Sequence, residues 1–419
     1  MDSARADVLA ARRQLETQGW IARNAENFRH QPPPPVDAWL GDDAAAAACD
    51  APAPAGFGWT LLPFGEAPQG PVDARWLDAA DPTQRAELLA GLPAPGAPVD
   101  GAADDAAPFA WAHRALCRQG LRLTIGRTPA SERGGPRVVS LALRHRPRSA
   151  VEAPLLVLDL AAGVHCVLVE THEHETAAGS QPIVQNLQIH VRLAEGATLQ
   201  HLRSVAPQPG DRIAHHLHLR AARGARFEQA TIAAGSQYQL HRHLLELQGP
   251  GAVGRSAALL FADTGAIEQQ LRVAHQAGGT TSAVEMLALA SGSARAVLNA
   301  RARIAPGAAE ANVHQRLSGI PTGGQPKLVL RPHLEILHDQ VQATHGATWG
   351  ALPEEEIFYA RQRGLDERTA RHLIVEGMTQ ALLQRCFSGD AVLRALGADA
   401  LLHEAVARHL KAAEERDRG

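Results

Sequence analysis

The chain has 419 residues and a formal net charge of -3 at pH 7, with an isoelectric point near 6.7. That balance leaves no electrostatic footprint for nucleic acid or an anionic membrane, and neither is expected as a partner. The four cysteines, Cys49, Cys117, Cys166 and Cys386, stand far apart with no CxxC pair, which speaks against a disulfide framework or a structural zinc site.

The start, Met1 to Arg5, leads into a mixed polar and apolar run without a signal-peptide core. No apolar stretch approaches the ~20 residues that span a bilayer, and a cytoplasmic protein is expected. Val8, Leu9 and Leu15 among Ala, Arg and Glu predict a helix from about Ala4 to Gln18. The run Pro32 to Pro35 cannot continue it. From there to about Pro108 the composition is rich in Ala, Pro, Gly and Asp, with short helical pieces such as Asp81 to Leu92. This reads as a loosely packed helical region with mobile loops.

Near Leu121 the texture changes to short apolar alternations broken by Gly, Asn or Asp, such as Val138 to Leu143 and Leu155 to Leu160, which predict strands. A weak repeat accompanies them: Leu160-Ala161-Ala162-Gly163, Leu193 to Ala197 and Ala221 to Ala225 each precede a strand-like run, and Phe261 to Ala266 is a vaguer copy. The spacing, roughly thirty residues, is that of stacked repeat units, each Gly permitting a tight corner. Stacked coils of a β-helix suit this better than a closed barrel, although periodicity alone leaves both open.

Helix returns after Leu352. Pro353 is placed at the first helical position with Glu354, Glu355 and Glu356 in the first turn, Arg361 and Arg363 in the last, and Gly364 at C′. Asp366 is the expected N-cap of a second helix, whose apolar stripe runs Leu373, Ile374, Met378, Ala381, Leu382. A short third helix is expected after Gly389-Asp390, stopping at Gly397, and Asp399 is expected to cap a last one carrying Leu401, Leu402, Val406 and Leu410.

The most specific stretch runs from Leu330-Arg331-Pro332-His333-Leu334-Glu335-Ile336 through Thr344-His345-Gly346-Ala347-Thr348 to Ile357-Phe358-Tyr359-Ala360-Arg361-Gln362-Arg363-Gly364. It resembles the signature of the SufB/SufD family of iron–sulfur cluster assembly proteins, in which a KPxLEI strand leads to a DDVKCSHGATVG turn and a helix beginning near FYLRSRGI. His275 with Thr281-Ser282, Gln315 to Ser318, and Gly19 to Arg29 are similar to further elements of the family. The turn sequence His345-Gly346-Ala347-Thr348 is of the SufD kind, and no cysteine lies between Cys166 and Cys386, where a SufB chain would carry its functional one. Two positions depart from the family pattern: its acidic pair is Asp339-Gln340 here and its cysteine is Ala343.

The resemblance implies a right-handed parallel β-helix core, mainly β, with N-terminal and C-terminal helical regions. We divide it as 1–120 helical with Pro/Ala-rich loops, 121–350 β-helix, and 351–419 helical. It implies a non-catalytic scaffold subunit that pairs with a SufB-like chain and docks a SufC-like ATPase through the helices after Phe358. The expected contact residues are Phe358, Tyr359, Arg361, Arg363, Leu373, Ile374, Met378 and Leu382, and packing of the last four on the chain's own β-domain stays open beside docking. Whether the isolated chain forms a homodimer stays open too. No tightly bound cofactor is expected. Iron or a nascent cluster would be held transiently with the partner, and the resemblance gives His345 that role. A neutral imidazole suits ferrous iron; a purely structural hydrogen bond within a tight turn is the alternative.

Other residues carry weaker readings. His172/His174, His216/His218 and His241/His243 have i, i+2 spacing, which puts both rings on one face of a strand. With Glu173 or Glu175 they permit a cupin-like metal site, yet no third ligand shows a recognisable spacing, and a solvated face is preferred. Lysine occurs only at Lys327 and Lys411, neither following Gly, so the phosphate-binding GxxxxGK[ST] loop is absent. Cys117, Cys166 and Cys386 read as buried apolar residues. The rivals to the scaffold are a β-helix carbohydrate-active enzyme, which needs clustered carboxylates, and a cupin-like metal oxygenase.

Overall fold

The computed structural model describes residues 3–41, 58–64, 71–97, 104–127, 138–147, 150–173 and 181–417. Cys49, His174, Glu175 and part of the Pro/Ala-rich region lie outside the described residues.

The chain opens with the helix Ser3–Gln18 and a single turn, Asp37–Leu40. Strands β1 (Trp59–Pro63) and β2 (Val72–Asp78) come next, then the helices Pro82–Leu89 and Ala107–Leu116. Asp81 caps the first of these, its carboxylate accepting from the Gln84 N–H at 2.8 Å. The long β region comprises β3 (Gln119–Ile125), β4 (Val138–His145), β5 (Val151–Glu152), β6 (Leu155–Leu160), β7 (His165–His172), β8 (Val184–Leu193) and β9 (Thr198–Val205). It continues with β10 (Arg212–Ala221), β11 (Arg226–Ala234), β12 (Tyr238–Leu247), β13 (Val253–Ala262) and β14 (Ala266–His275). It ends with β15 (Thr281–Ala290), β16 (Arg295–Ile304), β17 (Asn312–Pro321), β18 (Lys327–Ile336) and β19 (Gln342–Trp349).

Among the described residues these strands form two sheets. One has nine strands in the order β1-β4-β7-β9-β11-β13-β15-β17-β19; the other has ten, nine of them in the order β18-β16-β14-β12-β10-β8-β6-β3-β2 and the short β5 beside β8. From β6 onward successive strands therefore alternate between sheets, and each pairs in parallel with the strand one coil away: Val184 with Arg212, Arg212 with Tyr238. That is a parallel β-helix of two sheets, as expected. The first coil is closed by β1 and β2, which pair antiparallel with β4 and β3. These two strands lie in the region expected to be helical; their partners are distant in sequence, so nothing local marks them.

The repeat read from the sequence is a corner. Gly163, Gly196, Gly224, Gly251 and Gly279 all have φ between 61° and 70°, and their N–H groups donate to Glu195, Arg223, Pro250, Gly278 and Ala309 carbonyls at 2.8–3.1 Å. Each corner is thereby hydrogen-bonded to the next. Glu310 takes the same place one coil later, at φ 59° with its N–H on the Gln340 carbonyl. The vaguer copy, Phe261 to Ala266, belongs to the opposite side of the coil, between β13 and β14. Its resemblance to the others is the shared need for a left-handed residue, here Gly265, whose corner closes against the Ser236 carbonyl.

Inward residues alternate with outward ones along each strand. Leu141, Leu168 and Leu199 from one sheet meet Leu158, Leu217 and Leu245 from the other in one continuous core. Both outer faces are covered by helices. The segment Gly19 to Arg29 and its neighbours lie over the ten-stranded sheet, where Phe28, Trp39 and Phe109 pack on Ala214, Tyr238 and Leu240. That explains the motif-like Gly19 to Arg29 stretch: Glu26 pairs with Arg331 at 2.5 Å, and the Asn27 carbonyl accepts from Gln270.

The C-terminal helices are Glu354–Gln362, Glu367–Cys386, Asp390–Ala395 and Ala398–Asp417. Val375, Leu383, Leu402 and Val406 pack on Ile232, Leu259 and Leu287 of the nine-stranded sheet. Asp366 caps the second helix as expected, accepting from the Thr369 N–H at 2.8 Å, and Gly364 and Gly397 have positive φ. Two details differ. Pro353 is the N-cap of the first helix and not its first helical residue, and Asp399 lies inside the last helix, which starts at Ala398. No helix among the described residues is long and apolar enough to cross a membrane.

Candidate functional site

Among the described residues β18 is the last strand of one sheet and β19 the last of the other, so each presents an unpaired edge. Such edges are templates for another chain. The residues around them are exposed: Ile336, Leu337, and above all Trp349, at 69%. The helix Glu354–Gln362 follows directly. It buries none of its residues, and Phe358 and Tyr359 are 64% and 60% exposed.

His345 lies in the middle of β19, opposite Gln315 of β17. The stretch Thr344 to Thr348 is thus a strand and not a turn. The period-two rule puts His345 on the same side as Ala343, which packs on the inward Val313 and Ala311. At the open end this inward position is exposed, and the ring makes no side-chain hydrogen bond among the described residues. A hydrogen bond within a turn is therefore not its role. Gly346 faces the other way, and a Cβ built there meets nothing within 4 Å. Directly under His345, Gln315 is buried with both amide atoms unpartnered among the described residues. His333, on β18, is near enough for His345 to help lower its pKa, after burial and Arg331.

The expected docking residues separate. Phe358, Tyr359 and Leu373 are exposed. Arg363 lies over the Tyr359 ring at 4.8 Å, and Arg361 faces Glu367 at 3.5 Å. Ile374 is half-buried. Met378 and Leu382 pack instead against the chain's own nine-stranded sheet, with Arg385 fixing the helix to Glu285 at 2.8 Å. The stripe predicted from 3–4 spacing is real, but its lower half is the seam that holds the helix to the β-domain.

The histidine pairs obey the same alternation. His216 and His218 face outward under the N-terminal region, His216 against Phe109 at 5.0 Å and His218 with Nε2 2.6 Å from Glu246. His241 and His243 face the interior, sharing the side of Leu245 and Leu247. Glu173 is held by Arg146 at 2.9 Å. His275 needs no ligand to explain it: Nδ1 and Nε2 reach Thr280 and Ser282 hydroxyls at 2.9 and 2.8 Å, tying a corner together.

Among the described residues the buried carboxylates do not pair with one another, as glycoside hydrolysis would require. Glu170 is held by His145, His201 and Arg203; Glu228 accepts from Gln200 and the Ser388 N–H; Glu246 accepts from His218 and Arg220; Glu268 accepts from Gln270. The described cysteines are buried, and burial pushes the Cys117 thiol up to about 11 and those of Cys166 and Cys386 higher still. None is a ready thiolate.

Comparison with known proteins follows the same stretch of chain. A family profile described as SUF system FeS cluster assembly, SufBD core domain, matches residues 144–378, more than half of the chain. The iron–sulfur cluster assembly protein SufD of Escherichia coli (strain K12) is 24% identical over 229 residues, 54% of this chain and 53% of that protein. An iron–sulfur cluster assembly SufBD family protein of Synechocystis sp. is 25% identical over 210 residues, 49% of this chain and 46% of the relative. Protein ABCI7, chloroplastic, of Arabidopsis thaliana is 25% identical over 107 residues, 26% of this chain and 22% of its own. The chain spans about half the length of the first two relatives.

Proposed function

Because the chain belongs to the SufBD family of the SUF system of iron–sulfur cluster assembly, on its SufD-like side, we propose that it is a non-catalytic scaffold subunit working in the cytoplasm. In this reading the unpaired edges of β18 and β19 receive a SufB-like chain, and the helices from Glu354 onward receive a SufC-like ATPase. Strand addition to an exposed edge supplies main-chain hydrogen bonds, and side chains around it supply specificity. Ile336, Leu337 and Trp349 would be that apolar rim. For the ATPase, Phe358, Tyr359 and Leu373 form the exposed apolar surface, with Arg361 and Arg363 beside it.

One observation carries the proposal: among the described residues His345 stands in the last strand of the coil, exposed and without a side-chain hydrogen bond, where a second chain would join. An imidazole so placed can bind iron or a nascent cluster as cargo between two subunits, with bare Gly346 leaving room for the partner. Closure of this ATPase and a second one on the partner subunit, driven by ATP, would move the paired coils as rigid bodies and open or shut this interface.

Co-expression with SufB-like and SufC-like partners tests it. A stable heterocomplex is expected, lost on introducing Leu337→Glu with Trp349→Glu; a clean monomer in every fraction would remove the scaffold role. His345→Ala should leave the complex assembled and lower the yield of cluster, and an unchanged yield would take His345 out of the site.

A further inference from the structure

The interior of the coil is not uniformly apolar. Along one row of the ten-stranded sheet, Leu187, His215, His241 and Gln269 lie side by side in register, with His243 two residues beyond His241. By alternation His215 shares the inward side of Ile213 and Leu217. All three histidines are fully buried. Their rings converge: His215 and His243 have centroids 5.3 Å apart at 88°, and His215 and His241 5.7 Å apart at 63°.

One ring nitrogen from each of His215, His241 and His243 lies within 4.8 Å of the others. His243 Nε2 and His215 Nδ1 are 3.4 Å apart. Two nitrogens bound to one tetrahedral ion at ~2.1 Å are separated by roughly the same distance. Burial holds each imidazole neutral, the form that offers a lone pair to a metal, with His243 depressed to about 3.

A neutral imidazole in a dry core needs a partner for both nitrogens. Here His241 Nδ1 and both amide atoms of Gln269 have none among the described residues; nor do His215 Nε2 and His243 Nδ1, the ring nitrogens on the far side from the 3.4 Å approach. His241 Nε2 is 2.9 Å from the Gln239 amide. With the amide oxygen turned to the ring, it accepts that N–H and frees Nδ1, the usual support behind a metal-bound histidine.

We infer that His215, His241 and His243 form a buried site for one divalent first-row transition ion of the imidazole-binding kind, with Gln269 at its edge as an oxygen donor. Three imidazoles and an amide oxygen match zinc or ferrous iron better than magnesium or calcium, which prefer all-oxygen shells. Arg203, facing the cluster across the interior, opposes a dication, and the Glu170 carboxylate beside it favours one. Enclosure means that the ion is taken up as the coil folds and is retained afterwards. The site is separate from His345 and does not depend on the role proposed for that residue. Water molecules would satisfy His241 Nδ1 and the Gln269 amide as well as an ion would, so metal content decides between the two.

The full chain is produced in zinc-supplemented medium and its metal counted; separately it is unfolded with chelator and refolded with Co(II). Expected are about one zinc per chain and the visible absorption of nitrogen-ligated tetrahedral cobalt. Both should be lost in His241→Ala and in the closer-sized His215→Gln, with folding followed by circular dichroism. Metal should raise the melting temperature of the parent chain and not that of His215→Gln. His403→Ala, which dismantles the half-exposed group His372, Glu376 and His403, serves as the control and should keep the metal. A parent chain free of metal in both preparations overturns the inference whatever the variants do. So does metal retained undiminished in His215→Gln.

Discussion

His409, on the last helix, lies with Nδ1 2.5 Å from the Asp263 carboxylate, and its Nε2 is 2.8 Å from the Thr322 hydroxyl. One buried ring thereby fastens the C-terminal helix to two corners on the same side of the coil. Replacing His409 by Ala should lower stability by about 1–3 kcal/mol, the range for stranding a hydrogen-bonded buried group. The loss should be local. Amide exchange in Ala398–Asp417 should accelerate more than in β13, and equal acceleration in both would show that the ring has no latching role.

The corners allow a comparison at nearly constant backbone geometry. At Gly224 (φ 61°) an added Cβ meets nothing within 4 Å, so Gly224→Ala should cost only the left-handed strain, about 1–2 kcal/mol. At Gly265 (φ 65°) the Cβ would fall 1.9 Å from the Ser236 carbonyl oxygen, so Gly265→Ala should cost clearly more, with the corner displaced. Glu310→Gly should be neutral or stabilising by up to about 1 kcal/mol, because left-handed strain is relieved while the unfolded chain gains freedom. Urea denaturation of the three variants gives the order directly.

Acid should weaken the fold before the carboxylates titrate. Burial lowers His113 to about 3 and His275 to about 4, from an ordinary 6.5. In that interval the unfolded chain binds protons that the folded one refuses, so their contribution is complete above pH 6.5 and is lost as pH falls toward 4. Melting temperature should therefore drop between pH 6.5 and 4.5, and His275→Gln should flatten the drop. In a Glu268→Gln background, which removes an opposing titration, a melting temperature constant over that interval contradicts the assignment.

Glu268 acts in the opposite direction. Burial raises its carboxyl to about 8, against weaker lowering by Gln270 and Arg331, so it is neutral in the folded chain at pH 7. Here the folded state holds a proton that the unfolded state releases, and stability falls as pH rises from about 4.5 to 8. Glu268→Gln should remove this slope and exceed the parent in stability at pH 8, by on the order of a few kcal/mol. The two proteins should converge near pH 5. Parallel curves across the range would mean that Glu268 is ionised in the folded chain.

The β-helix was legible because its signal is local and repeated: an apolar strand, a left-handed corner, another strand. Helix ends were legible for the same reason, as at Asp366, Gly364 and Gly397, where one residue supplies the cap. Strands β1 and β2 were not, since they owe their extended form to partners far along the chain. The strand character of Thr344 to Thr348 was hidden by Gly346, which reads as a turn when its neighbour β17 is out of view. The apolar stripe from Leu373 to Leu382 showed a buried helix face without showing where the sheet beneath it ends.

The order of residues alone determined the fold class, the caps and the likeness to the SufBD family, since each depends on side chains a few positions apart or on a motif read in line. The three-dimensional stacking of coils decided what surrounds each chemically active group. It left His345 exposed in the last strand among the described residues. It also turned His215, and not the adjacent His216, toward His241 and His243, because strand pairing matches residues a whole coil apart while alternation selects one of two neighbours for the interior. No spacing along the chain contains that register.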